Sequence, residues 1–77
     1  MQDLIRHIAL SLVANPDDVE IREELQDEEN TTIILQVAQE DLGKVIGKQG
    51  RTARAMRALI SAATHGQTMQ YRLEIAE

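Results

Sequence analysis

The run Gly43-Lys44-Val45-Ile46-Gly47-Lys48-Gln49-Gly50-Arg51 constrains this chain more than any other stretch. Two glycines three apart let the backbone turn tightly and approach another molecule closely, because neither carries a Cβ. The aliphatic pair Val45-Ile46 predicts a short, partly buried helix that stops at Gly47. A second helix, with Arg51, Arg54 and Arg57 at three-residue spacing, follows at once. The amides of Lys48, Gln49 and Gly50 are expected to point outward together, with the positive end of the second helix behind them. Such a surface suits an anion, and a phosphodiester is the obvious candidate.

The rest of the chain supplies a scaffold for that turn. Leu4, Ile5, Ile8, Ala9 and Leu12 recur at helical spacing, which predicts an amphipathic helix over about 2–14. Asn15-Pro16 ends it, since the residue before a proline is pushed out of the helical region. His7 lies on the polar side of this helix with no second ligand four residues on, so it reads as a surface residue. Val19, Ile21 and Leu25 alternate with charged residues. Glu23 stands at an inward position in that register, so the strand is expected to fray or leave the core. Thr31 to Ala38 is a β-branched, apolar strand and the more buried partner of a hairpin. The polar turn Asp27-Glu28-Glu29-Asn30 lacks the glycine and spaced ligands of a calcium loop and reads as solvated. Gln39-Glu40-Asp41 opens the short helix, with acids at its positive end. The helix after the glycine turn runs over about 51–64 and ends at His65-Gly66. Tyr71, Leu73 and Ile75 alternate with polar residues as a last strand. Three strands with helices on one face make a two-layer α+β domain, in the order α-β-β-α-α-β.

Charge becomes informative once it is placed on these elements. The net charge of −5 would by itself argue against a polyanionic ligand, yet Leu42 to Arg72 contains six Lys or Arg and no Asp or Glu. Asp17 to Glu29 contains eight acids and one arginine. Such asymmetry is either a nucleic-acid face opposite an acidic one or a pair of ordinary solvated faces. On the second long helix Ala53, Met56, Leu59, Ile60 and Ala63 form an apolar arc that Ala55 and Ala62 extend to roughly half the circumference, beyond the ~100° that a core contact needs. Either a partner covers the surplus, or alanine is present simply as a helix former. A 77-residue chain buries only about 60–65% of its unfolded surface, and with no cysteine it has no disulfide, so association is a natural remedy. The N-terminus has no basic leader before an apolar run, and the apolar runs are short, so a soluble, cytoplasmic protein is expected.

Catalysis finds no constellation here. His7 and His65 are in distant segments, the carboxylates cluster at an exposed turn, and Ser11 and Ser61 lie in mid-helix rather than in a strained nucleophile turn. The glycine turn is too short for a Walker loop and lacks its Lys-Ser/Thr ending. Nothing calls for a cofactor or a metal.

Val45-Ile46-Gly47-Lys48-Gln49-Gly50 between two helices, within this order of elements, resembles a type II KH domain. The whole of 1–77 is then expected to be one such domain. Near-minimal length, the Asn15-Pro16-Asp17 helix end and the Thr52-Ala53-Arg54-Ala55 continuation are similar to the small stand-alone KH proteins of bacteria. Ala53 departs from the bulky aliphatic of the broad KH signature, with Met56 and Ile60 available to fill the layer and the groove floor altered. The resemblance implies that the loop clamps about four nucleotides of unpaired RNA or DNA. Gly47, Lys48, Gln49 and Gly50 would meet the phosphates, Lys44, Arg51 and Arg54 would add flanking charge, and Val45 and Ile46 would face the bases. It also implies an RNA chaperone or post-transcriptional regulator connected with cell elongation and division. Such a protein pairs with itself or with a larger KH-domain protein of the KhpB (Jag, EloR) type, and the surface expected for this contact is Ala55, Leu59 and Ala62. With Tyr71 the sole aromatic, affinity and base specificity should both be modest.

Overall fold

The computed structural model describes residues 1–76. Its elements are α1 (Gln2–Leu12), β1 (Glu20–Leu25), β2 (Asn30–Gln36), α2 (Leu42–Ile46), α3 (Arg51–Ala63) and β3 (Gln70–Ile75), with single 3₁₀ turns at Pro16–Asp18, Gln39–Asp41 and Lys48–Gly50. This is the α+β architecture and element order expected from the sequence. The sheet runs β1-β2-β3. β1 and β2 pair antiparallel through the hairpin, and β2 and β3 pair parallel, with Ile33 opposite Leu73 and Leu35 opposite Ile75. A parallel pair cannot be closed by a tight turn, so the chain must cross over between them, and α2 and α3 form that crossover.

One face of the sheet carries the core. Ile33, Leu35 and Leu73 meet Ile5 and Ala9 of α1, Val45 of α2, and Met56 and Ile60 of α3, all essentially inaccessible to water. Successive strand residues point to opposite faces, so Arg22, Ile34 and Glu74 line up across the other side, as do Glu24, Thr32 and Arg72. β2 is central and the most buried strand. β1 is an edge strand with only Ile21 half-buried; Glu23 stays exposed opposite Ile33, and Leu25 is 70% exposed. The strand leaves the core where the misplaced glutamate indicated. At the hairpin turn the Asp27 carboxylate accepts from the Glu29 amide at 2.8 Å and from the Asn30 side chain at 3.0 Å. These donors, the Glu29 amide first, hold its pKa below the usual carboxylate value.

Three element ends differ from the sequence expectation, each for a local reason. α1 stops at Leu12 because Val13 is extended (φ −90°, ψ 153°) and the amides of Ala14 and Asn15 turn away to the Asp41 carboxylate. β2 ends at Gln36, and Val37 and Ala38 lead into the 3₁₀ turn. α3 ends at Ala63, where the buried Thr64 hydroxyl donates to the Ile60 carbonyl at 2.9 Å and Gly66 adopts φ +82°. The buried stripe of α3 is also narrower than its apolar arc. Ala53, Met56 and Ile60 are buried, whereas Ala63 is exposed and Leu59 is 49% exposed. Among the described residues no helix is long and apolar enough to cross a membrane.

Candidate nucleic-acid interface

The loop owes its shape to three consecutive demands on the backbone. Gly47 takes φ 79°, ψ 167°, Gln49 takes φ 58°, ψ 26°, and Gly50 takes φ 74°, ψ 15°. Gly47 also has no room for a side chain, since a Cβ there would lie 2.7 Å from the Thr52 amide nitrogen in the first turn of α3. At Gly50 space is open and only the left-handed conformation selects glycine. Gln49 has a Cβ and adopts the left-handed region regardless, at a cost of about 1–2 kcal/mol. Two arginines of α3 hold it there. Arg54 donates to the Gln49 carbonyl at 2.5 Å and Arg51 to its side-chain oxygen at 3.3 Å. A charged donor on a carbonyl is among the stronger hydrogen bonds, so this pair offsets the strain.

The outward donors are two amides rather than three. The Gly50 amide is turned inward to the Gly47 carbonyl at 3.0 Å. Those of Lys48 and Gln49 open the 3₁₀ turn Lys48–Gly50, where the leading N–H groups have no partner inside the turn, and no ion pair engages the Lys48 ammonium among the described residues. Two leading N–H groups and an unpaired cation thus share one tip, beside the N-terminus of the 13-residue α3.

Below the tip a groove of about 360 Å³ runs between the helices and β3, with Ile46, Gly50, Ala53, Arg54, Arg57 and Ile75 around it. Ala53 forms floor that a bulkier side chain would fill, and Met56 and Ile60 complete the layer beneath, at 1% and 2% exposed. Arg57 reaches across to donate to the Leu73 carbonyl at 3.4 Å. Because β3 is an edge strand, this wall of the groove is partly backbone.

Two expected contacts lie elsewhere. Val45 is 0% exposed and belongs to the core, so of the aliphatic pair only the half-buried Ile46 faces the groove. One residue of helix turns the side chain by ~100°, which is enough to separate the two roles. Lys44 is absent from the groove wall, and its ammonium is 3.4 Å from Asp41. The structure therefore brings together Ile46, Gly47, Lys48, Gln49, Gly50, Arg51 and Arg54, and leaves Lys44 and Val45 apart. Ala55, Leu59 and Ala62 are exposed and lie outside the groove, on their own strip of α3.

Asp41 is the residue that sequence reasoning undervalued. It was expected to complement the dipole of α2, and instead it is completely buried. Its carboxylate accepts from the Ala14 amide, the Asn15 amide and the Asn15 side chain, each at 3.0 Å, with Lys44 beyond. The Ala14 amide leads these donors in lowering its pKa from 3.8 to about 2 against the opposing effect of burial. Asn15 also donates to Glu40 at 2.6 Å. The end of α1 is thereby fastened to the start of α2, and α2 in turn carries the glycine loop. No local signal marks this clamp, because its two halves are 26 and 27 residues apart.

The KH domain of the KhpA/KhpB family matches residues 2–75. A protein of Halalkalibacterium halodurans named RNA-binding protein KhpA is 47% identical over 77 residues, covering all of both chains. One of Caldanaerobacter subterraneus with the same name is 52% identical over 63 residues, 82% of this chain and 83% of its own. Another, from Treponema pallidum, is 45% identical over 76 residues, 99% of this chain and 94% of its own. No solved structure matches the chain. The match spans the α1 clamp, the glycine loop and β3 alike, and the chain belongs to the KhpA/KhpB KH-domain family.

Proposed function

We propose that this chain is an RNA-binding protein of the cytoplasm, a single type II KH domain over 1–77 that grips about four nucleotides of single-stranded RNA by its glycine loop. The observation that carries the reading is the loop tip, where the leading amides of the Lys48–Gly50 turn and the unpaired Lys48 ammonium stand at the mouth of a groove with Ile46 and Ala53 in it. Phosphate would lie on the amides and on Lys48, Arg51 and Arg54 would flank it while holding the loop, and bases would turn toward Ile46 and the edge of β3. Relatives of nearly the same length carry RNA binding in their names. A chaperone or post-transcriptional role follows from weak, base-tolerant contact with unpaired strands.

Electrophoretic mobility of short RNAs tests this at two salt concentrations. Retention is expected at low salt, with log affinity falling against log salt at a slope of about −3 for ~4 phosphates, and Lys48→Ala should flatten that slope by about 0.7. Retention that ignores the double substitution Lys48→Asp with Gln49→Asp would overturn the reading, as would no retention at low salt.

A second reading, compatible with the first, is a protein-interaction module. Ala55, Leu59 and Ala62 leave an uncovered strip on α3, with Leu59 49% exposed. It would serve a homodimer or a heterodimer with a larger KH protein of the KhpB type, acting in cell elongation and division. Light scattering at tens of micromolar separates the versions: a monomer removes the homodimer, and a dimer dispersed by Leu59→Lys supports it.

A further inference from the structure

The groove does not end at Arg57. On the far side of that side chain a second cleft, of about 390 Å³, continues between α3 and β3, and Ser61, Tyr71, Arg72 and Glu74 rim it. Arg57 belongs to both clefts and is held in place by its bond to the Leu73 carbonyl. The two are therefore compartments of one channel along α3. About 10 Å of helix axis separates Ala53 in the first from Ile60 in the second. Tyr71 is the only aromatic residue in the chain, and it stands at the far compartment. Its ring is half-buried against the core, so it is held rather than free to swing. Among the described residues its hydroxyl makes no side-chain hydrogen bond, and the Arg72 side chain, one residue on along the strand, belongs to the opposite face of the sheet beside Thr32.

We infer that a strand gripped at the glycine loop continues through this second compartment, where Tyr71 stacks on a base and Arg57 takes the neighbouring phosphate. A fixed aromatic face beside a cation is an arrangement that receives an unpaired nucleotide without regard to its identity. Glu74, like Arg72, points to the opposite face of the sheet, so Arg57 is the cation that lines the cleft from the helix side. The inference rests on the RNA-binding reading and adds a base-stacking site to it. The ligand is single-stranded nucleic acid continuous with the loop-bound segment.

The sole tyrosine makes the test direct, because the intrinsic emission of the protein comes from this ring. Unmodified protein is titrated at low salt with a random-sequence RNA octamer pool, and in parallel with a random DNA octamer pool. Anisotropy of a trace labelled octamer reports binding, and the tyrosine emission lifetime, which is insensitive to absorption by the nucleic acid, reports stacking. The lifetime should shorten with the same midpoint as the anisotropy rises, and Lys48→Asp with Gln49→Asp should remove both signals. Both signals with RNA alone, or with RNA and DNA, support the site and distinguish the two sources. Binding without a lifetime change overturns the stacking site while leaving the loop reading intact. No binding of either pool removes the loop reading and the inference with it. Tyr71→Leu should weaken binding about fivefold or more, in line with the loss of one stacked base, and Tyr71→Phe should keep wild-type affinity because the ring does the stacking. Equal affinity of Tyr71→Leu and wild type would also overturn the site, and the Phe variant guards against mistaking a folding defect for a lost contact.

Discussion

At the scale of single residues, the loop separates two reasons for a glycine. Gly47 combines a φ/ψ pair that L-residues avoid with a neighbour that a Cβ would strike, the Thr52 amide. Gly50 has the positive φ without the collision, and Gly43 has neither, since it is helical and its Cβ position is empty. These three glycines should therefore rank in order when replaced by alanine. Gly47→Ala should destabilise by about 3 kcal/mol or fail to fold, through strain plus collision. Gly50→Ala should cost about 1 kcal/mol through the left-handed backbone alone. Gly43→Ala should stabilise by about 0.5–1 kcal/mol, because a helical glycine loses more entropy on folding than alanine. Urea denaturation of the three variants checks the order, and a Gly43→Ala protein less stable than wild type would contradict the open space seen above it. The same local logic explains why this part of the site was legible in the sequence. The turn depends on its own residues, and glycine spacing records it. Val45 and Ile46 were not separable in that way, since α2 spans only Leu42–Ile46 and offers too little periodicity to say which aliphatic faces inward.

Among elements, the consequential contact is the one that fastens α1 to α2. The Asp41 carboxylate is worth most when charged, because each of its donors favours the anion. Its pKa is depressed from 3.8 to about 2 on folding, so the stabilisation is fully present above pH ~4 and is lost as pH falls from there through ~2. Asp41→Asn removes the charge and puts an amide nitrogen against N–H donors. Thermal melting should show a lower Tm at pH 7, by several degrees, and the gap between variant and wild type should close as pH falls toward 2. A constant gap across that range would mean that the carboxylate acts by shape and not by charge. Most of the element plan could be read in advance, because Ile5 and Ala9, Met56 and Ile60, and Ile33 and Leu35 each repeat with the period of the element they build. Asp41 could not, because a carboxylate at a helix start has a sufficient local explanation, and its real partners are Ala14 and Asn15, far back in the chain. Arg54 is similar. It looks like free charge on a helix face, yet it is committed to the Gln49 carbonyl, a bond that exists only once Gln49 is left-handed.

Across the whole molecule, the three strands keep opposite charges apart. β1 holds Glu20, Glu23 and Glu24 at one edge of the sheet, and β3, at the other edge, borders the groove that Arg54 and Arg57 line; the hairpin turn lies nearer β3, since the Glu29 carbonyl accepts from the Gln70 amide at 2.6 Å. Two strand spacings put the edges about 10 Å apart, close to the Debye length at 0.1 M salt. The β1 acids are thus near enough to act on an approaching strand in dilute salt and too far to touch it once bound. Their effect belongs to the encounter, since a polyanion repelled at one edge arrives preferentially at the other. Neutralising Glu20, Glu23 and Glu24 to glutamine should raise the association rate for a short RNA severalfold at ~20 mM salt and leave it unchanged at ~0.3 M. All three side chains are exposed, so the fold should tolerate the change. Lys48→Ala should instead weaken binding at both salts, because it removes a contact of the bound state. Stopped-flow mixing distinguishes the two effects. A triple variant that tightens binding equally at high salt would place those acids against the bound RNA and not along its approach, which would require the strand to cross the sheet instead of following α3.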